Sequence, residues 1–180
     1  MSGAAVIAVC CDSKHNLIKP TRDHIILVAG FGVQGDAHYG ETVQHLYDKR
    51  RNPDAPNLRQ VHLIHTEFFD ELSEKGFTVK PGQMGENITT RGIDLLCLSR
   101  GTQLHIGEAV IEITGLRNPC SKLNKIQEGL LPASLGQWDD GTILAKTGVM
   151  AIILKGGKVR PKDLIKVETP DSPHIRLTPV

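Results

Sequence analysis

The chain has 180 residues, a hydrophobic share of 39% and a formal net charge of +1. That length suits one domain with a sizeable core, and near-neutrality without a basic run of five argues against a nucleic-acid or polybasic membrane surface. No apolar stretch approaches the roughly 20 residues of a spanning helix, and the N-terminus lacks the pattern of a secretory leader, so a cytoplasmic location is expected. The four cysteines fit that compartment as reduced thiols. Cys10 and Cys11 are adjacent and point to opposite faces if they lie on a strand. Cys97, within LLCL, reads as core, and no CxxC is present.

Ala4–Cys11 (AAVIAVCC) predicts a buried strand, and His24–Ala29 (HIILVA) a second. The latter runs into GFGVQGDAHYG, whose glycines permit positive φ and whose N–H groups can face an anion. It is not a dinucleotide fingerprint, because no helix follows directly. Residues 41–57 are polar with two prolines and read as a loop. Arg59–His65 predicts a strand on which His62 and His65, three apart, face opposite ways. Thr66 is a suitable N-cap for TEFFDELSEKG, with Phe68, Phe69 and Leu72 on one face and Gly76 at the end.

Lys80–Ile93 (KPGQMGENITTRGI) is dense in turn residues and then in Asn87, Thr89, Thr90 and Arg91. It reads either as a surface turn or as polar donors beside an arginine, which suit a phosphate. Ala109–Thr114 alternates cleanly and predicts a strand ended by Gly115, with Ile111 and Ile113 on one face. Arg117, Asn118, Pro119 and Cys120 follow on a loop, and SKLNKIQEG predicts a short helix. A thiol beside an arginine at a helix start is biased toward thiolate; a small buried cysteine is the other reading. Gly148–Leu154 predicts a strand, KGGK a hairpin turn, and Leu164–Val167 the last strand. Residues 169–180 read as a tail. Seven or more short strands with a few short helices predict a mainly β fold, a mostly antiparallel sheet closed into a barrel.

Five segments in order, GVQGDAH, RQVHLI, GQMGENITTRGIDL, IGEAVIEITGLRNPC and GVMAIILKGGKVRPKDLIKV, resemble a stand-alone MOSC domain, the C-terminal domain of molybdenum cofactor sulfurase. The resemblance covers about 20–168 within a single domain of 1–180. It implies a β-barrel in which Cys120 ligates molybdenum of a pyranopterin cofactor, as in reductases of N-hydroxylated small molecules. A soft, anionic thiolate suits that metal. Arg91, Arg117, Asn87, Thr89 and Thr90 are then candidates for the cofactor's phosphate, with Asn118 and Arg59 beside them. Asp36 would orient pterin N–H donors or an arginine, and His38 would donate a proton when an N–O bond is cleaved. No flavin or iron–sulfur module is evident, so a reductase of this kind needs a separate electron-donor protein. The competing reading is a carrier that receives the cofactor, or persulfide sulfur on Cys120, from a sulfur-donor protein. A histidine-metal hydrolase built on His24, His38, His45, His62, His65 and His105 finds no matching spacing.

Overall fold

The structure is a computed structural model describing residues 3–171 and 173–180. Its elements in chain order are β1 (Ala5–Cys10), β2 (Thr21–Arg22), β3 (Ile25–Val28), β4 (Gly32–Val33), α1 (Leu46–Arg51), β5 (Val61–His65), α2 (Thr66–Glu74), β6 (Ile88–Arg91), β7 (Gln103–Ile106) and β8 (Ala109–Leu116). A 3-10 turn (Ser121–Lys125) follows, then α3 (Leu130–Ala133), β9 (Leu135–Gln137), β10 (Ile143–Ala145), β11 (Val149–Lys155), β12 (Gly157–Val159) and β13 (Ile165–Glu168). Eight strands form one sheet in the order β13-β7-β8-β11-β5-β6-β1-β2, beside a three-stranded sheet (β12-β3-β4) and the β9–β10 pair.

β8 is the backbone of the core. Its buried residues alternate as the sequence predicts, with Ile111 and Ile113 inward and Glu112 and Thr114 half-buried. Burying each isoleucine contributes about 1.5–3 kcal/mol. Gly115 does not end the strand. It pairs with Met150, and a Cβ there would sit 2.5 Å from the Thr178 carbonyl oxygen, so glycine lets the C-terminal segment lie against β8. That segment is docked rather than loose: Leu177 is buried, and Leu116 and Thr178 are joined backbone to backbone at 2.8 Å.

The main sheet is antiparallel except for β5 and β6, which run parallel. α2 makes that crossover, burying Phe68, Phe69 and Leu72 in a second cluster with Ile64, Met84, Leu123 and Leu130. Thr66 is the first helical residue rather than a cap; its hydroxyl reaches only Glu67, at 3.5 Å. Gly76 follows the helix at φ 85°, as the sequence predicts.

The closed barrel expected from the strand count does not form. The chain is mainly β with few helices, but its sheets are open. β1 and the chain leading into β13 touch around one isolated bridge, Ala5–Leu164, where three backbone hydrogen bonds join residues 4–6 to residues 162–165, but no ladder forms between β1 and β13. The approach to β13 is curled: Lys162 adopts φ 77°, and the Asp163 carboxylate accepts the Arg160 N–H at 2.7 Å. A turned chain cannot continue a ladder, and β2 occupies the other end of β1. Nor is KGGK a hairpin. β12 pairs with β3, not β11, because Gly156 and Gly157 let the chain pass close to Leu27 and Ala109. Cys97 is exposed rather than core: the Asp94 carboxylate accepts the Leu96 and Cys97 N–H groups, turning Leu95 and Leu96 inward and the thiol out. Among the described residues no helix is long and apolar enough to cross a membrane.

Candidate functional site

Loops from several elements converge on a cavity of about 510 Å³. Its floor is His62 of β5, which is 5% exposed. The ring donates Nε2–H to the Thr147 carbonyl at 2.7 Å, and the His62 N–H is accepted by Asn87 Oδ1 at 3.2 Å. Gly148, at φ 92°, makes room for it, since a Cβ there would press on the Leu63 carbonyl and lie 3.0 Å from His62 Nε2. Burial, helped by the Arg117 charge, pushes the His62 pKa down to about 3, so the ring is neutral at pH 7.

Beneath one wall lies a buried carboxylate, Asp36. It accepts Lys19 Nζ at 2.8 Å, Asn87 Nδ2 at 2.9 Å, His38 Nδ1–H at 3.1 Å and the His38 N–H at 3.0 Å. Burial alone would raise its pKa; the bonds from His38 and the Lys19 ammonium outweigh that and hold it well below the usual carboxylate range. The Lys19 and Asp36 side chains are 3% and 2% exposed, so neither charge is tolerable without the other. Asp36 thereby fixes the His38 tautomer, leaving Nε2 as the nitrogen that can take or give a proton.

The third wall is the loop after β8. The Arg117 N–H donates to the Gly148 carbonyl at 2.9 Å, and Thr147 Oγ1 donates to the Arg117 carbonyl at 3.0 Å. This anchorage sets Arg117, Asn118 and Cys120 on the cavity rim, with Cys120 extended at the head of the 3-10 turn. Arg117 Nη1 is shielded from water and has no hydrogen-bond partner among the described residues. Burial pushes the guanidinium pKa down, and the neighbouring Cys120 pulls it back. Five Lys and Arg side chains line the cavity (Lys19, Arg50, Arg59, Arg117 and Lys122), and no Asp or Glu does. Lys19 is paired with Asp36, and Arg59 with Asp48 at 2.9 Å. A positive, partly apolar cavity with an orphaned guanidinium N–H and a thiol at its rim suits an anionic ligand that also needs a soft donor.

The family model for the MOSC domain matches residues 35–166. The chain belongs to the MOSC domain family. That family is associated with molybdenum cofactor binding or sulfur-related function. The fold is also that of YuaD from Bacillus subtilis (TM-score 0.74, 21% identity, 94% of this chain and 98% of that one). It is similar too to YiiM from Geobacillus stearothermophilus (TM-score 0.68, 17% identity, covering 96% and 79%) and from Escherichia coli (0.62, 21%, 95% and 73%). No curated protein matches the sequence.

Of the residues the MOSC resemblance singles out, Cys120, Arg117, Asn118, Asn87, Arg59 and His38 come together around the cavity, and Asp36 sits behind them. Three do not join them. Thr89 and Thr90 are fully buried in β6, bonded to Glu86 at 3.0 Å and to the Ile64 carbonyl at 3.5 Å. Arg91 is exposed and faces Asp70 at 3.3 Å. The N–H groups of the GVQGDAH loop are largely used at home: those of Gln34, Asp36 and Ala37 bond to Ile26, Val33 and Asp12 carbonyls. Among the described residues no three His, Cys, Asp or Glu side chains cluster as a metal site.

Sequence reading passed over Lys19, Lys122 and Glu86 of this MOSC domain. Glu86 is wholly buried and accepts the Gly82 N–H at 2.6 Å, the Met84 N–H at 3.1 Å and the Thr89 hydroxyl, which shapes the loop delivering Asn87. Burial raises its pKa against those bonds. Its one sequence signal was a carboxylate between turn glycine and strand; Lys19, in a polar loop without periodicity, carried none.

Proposed function

We propose that this cavity binds a pyranopterin-molybdenum cofactor through Cys120 and that the loaded protein reduces N-hydroxylated small molecules. The observation carrying this reading is the unpaired, buried Arg117 Nη1 beside the Cys120 thiol in a cavity without carboxylates. A buried donor left unbonded costs about 1–3 kcal/mol, which an anionic ligand offsets. Cys120 would hold the metal, and Arg117, Lys122 and Arg59 the phosphate. Bound there, the group would supply two-electron redox chemistry. The chain's own part is to bind and orient the anion, keep the His62 floor neutral, and hold the His38 ring by its Nδ1–H against the Asp36 carboxylate, so that Nε2 is left to relay a proton. Reduction of an N–OH group takes two electrons and two protons and releases water. His38 can relay one proton and solvent the other, and a separate donor protein must bring the electrons.

The test is molybdenum per chain after expression in a host that makes the cofactor. We expect near-stoichiometric metal in the unaltered chain and its loss in Cys120→Ser. Arg117→Met should lose most of it while the fold becomes no less stable, because an unsatisfied buried donor has gone. The loaded protein should turn over an amidoxime or an N-hydroxylated base with an artificial electron donor. Metal without turnover would move the reading to the carrier. No metal, beside a loaded positive control, would overturn cofactor binding.

A further inference from the structure

His65 faces away from the first cavity into a second one of about 490 Å³, bounded by β5, α2, the turn after β6 and Trp138. His65 is 8% exposed, and its Nδ1 has no hydrogen-bond partner among the described residues. Nothing in the proposed reductase chemistry uses this site. Three carboxylates line it, Glu67, Glu71 and Asp94, against one cation, Lys146. Glu71 is compensated, by Lys75 at 2.7 Å and Lys146 at 2.8 Å. Glu67 and Asp94 form no ion pair among the described residues. Glu67 Oε1 accepts the Gly92 N–H at 2.7 Å, and its Oε2 only a 3.5 Å contact from Thr66. Asp94 Oδ1 accepts the Leu96 and Cys97 N–H groups, and the carboxylate also meets the Cys97 thiol, a neutral partner that leaves its charge uncompensated.

Burial lowers the His65 pKa more than the surrounding carboxylates raise it, so the ring keeps one nitrogen as an acceptor near neutral pH. The remaining wall is apolar, from Phe68, Leu96, Leu144 and the ring of Trp138. That indole already attracts a planar cation, with the Arg176 guanidinium 5.4 Å from its centroid. Unneutralised carboxylates, a neutral imidazole with an unbonded nitrogen and an aromatic wall together define a ligand by what they lack: positive charge, an N–H donor and a flat apolar face.

We propose that this second cavity binds a small, flat organic cation of the aryl-guanidine or aryl-amidine class. The ligand sets its charge against Glu67 and Asp94, donates an N–H to the His65 ring, and lays its apolar face along Trp138.

Trp138 is the chain's single tryptophan, so its fluorescence reports on this cavity. The full chain is titrated with phenylguanidine and, separately, with phenylurea, an uncharged molecule of nearly the same shape. We expect a saturable change with phenylguanidine and affinity at least about tenfold weaker with phenylurea, the scale of a charge-assisted hydrogen bond. Glu67→Gln with Asp94→Asn should weaken phenylguanidine by a similar factor. Both side chains are exposed, so the fold tolerates the change, and an unaltered thermal transition checks that. The His65 ring ¹⁵N shifts should move on binding. No saturable response, equal affinity for phenylurea, or an unaffected double variant would each overturn the proposal.

Discussion

His62 and His65 lie three residues apart on β5 and look into two cavities of nearly equal size, about 510 and 490 Å³. Both rings are buried, and burial pushes both pKa values down. The cavities differ in everything else. Around His62 stand five Lys and Arg side chains and no carboxylate; around His65 stand three carboxylates and one lysine. His62 is satisfied through Thr147, whereas His65 leaves Nδ1 unbonded. A strand therefore sets which way a side chain looks, and the loops that happen to gather on that side set the charge it meets. The same residue type on the same strand is a hydrogen-bonded floor in one cavity and keeps an unbonded ring nitrogen beside the other.

The sharpest way to break this contrast is to remove the ion pair behind the basic cavity. Lys19→Ala leaves Asp36 buried with only partial compensation, and the fold should lose about 3–5 kcal/mol. Chemical denaturation measures this, and Lys19→Met with Asp36→Asn together should recover a large part of it. A loss under about 1 kcal/mol would mean that the pair is solvated.

A pH series comes next in size. His62 has a folded-state pKa of about 3 against an ordinary 6.5. As pH falls below 6.5 the unfolded chain takes the proton first, so stability falls with falling pH, by about 1.4 kcal/mol per unit. His62→Gln should remove one proton's worth of that slope between about pH 6 and pH 4. An unchanged slope would mean that the floor of the basic cavity is not a buried neutral imidazole.

The smallest effect belongs to Arg91. It is exposed opposite Asp70 and outside both cavities. Arg91→Ala should change stability by no more than about 0.5 kcal/mol and leave molybdenum content as it was. A marked loss of metal would extend the basic cavity beyond the boundary drawn here.

Much of the scaffold was legible. The alternation in β8, the apolar face of α2 and the opposed histidines of β5 are local periodicities, and a period of two or 3.6 survives in any fold that buries one side. The site was legible only in part. Cys120 and Arg117 announced themselves because a thiol and an arginine share a stiff loop after a strand. Thr89 and Thr90 misled because a run of hydroxyls looks the same in a turn as in a strand, and only β6 lying between β1 and β5 consigned them to the interior. Cys97 misled for the converse reason: an apolar run promised burial, but Asp94 folded the backbone into a turn that ejects the third side chain.

What the sequence determined by itself was direction: which strand residues point inward, where the chain must bend, and that a thiol and a guanidinium travel together. What only the tertiary structure decided was company. Lys19 meets Asp36 across 17 residues and Asn87 meets it across 51, and no local pattern encodes such a meeting. Whether the sheet closes was likewise settled far from any strand's own pattern, by the curled approach to β13. Charge, burial and hydrogen-bond partners are properties of neighbours in space, and in a sheet whose strands are out of sequence order those neighbours come from distant parts of the chain.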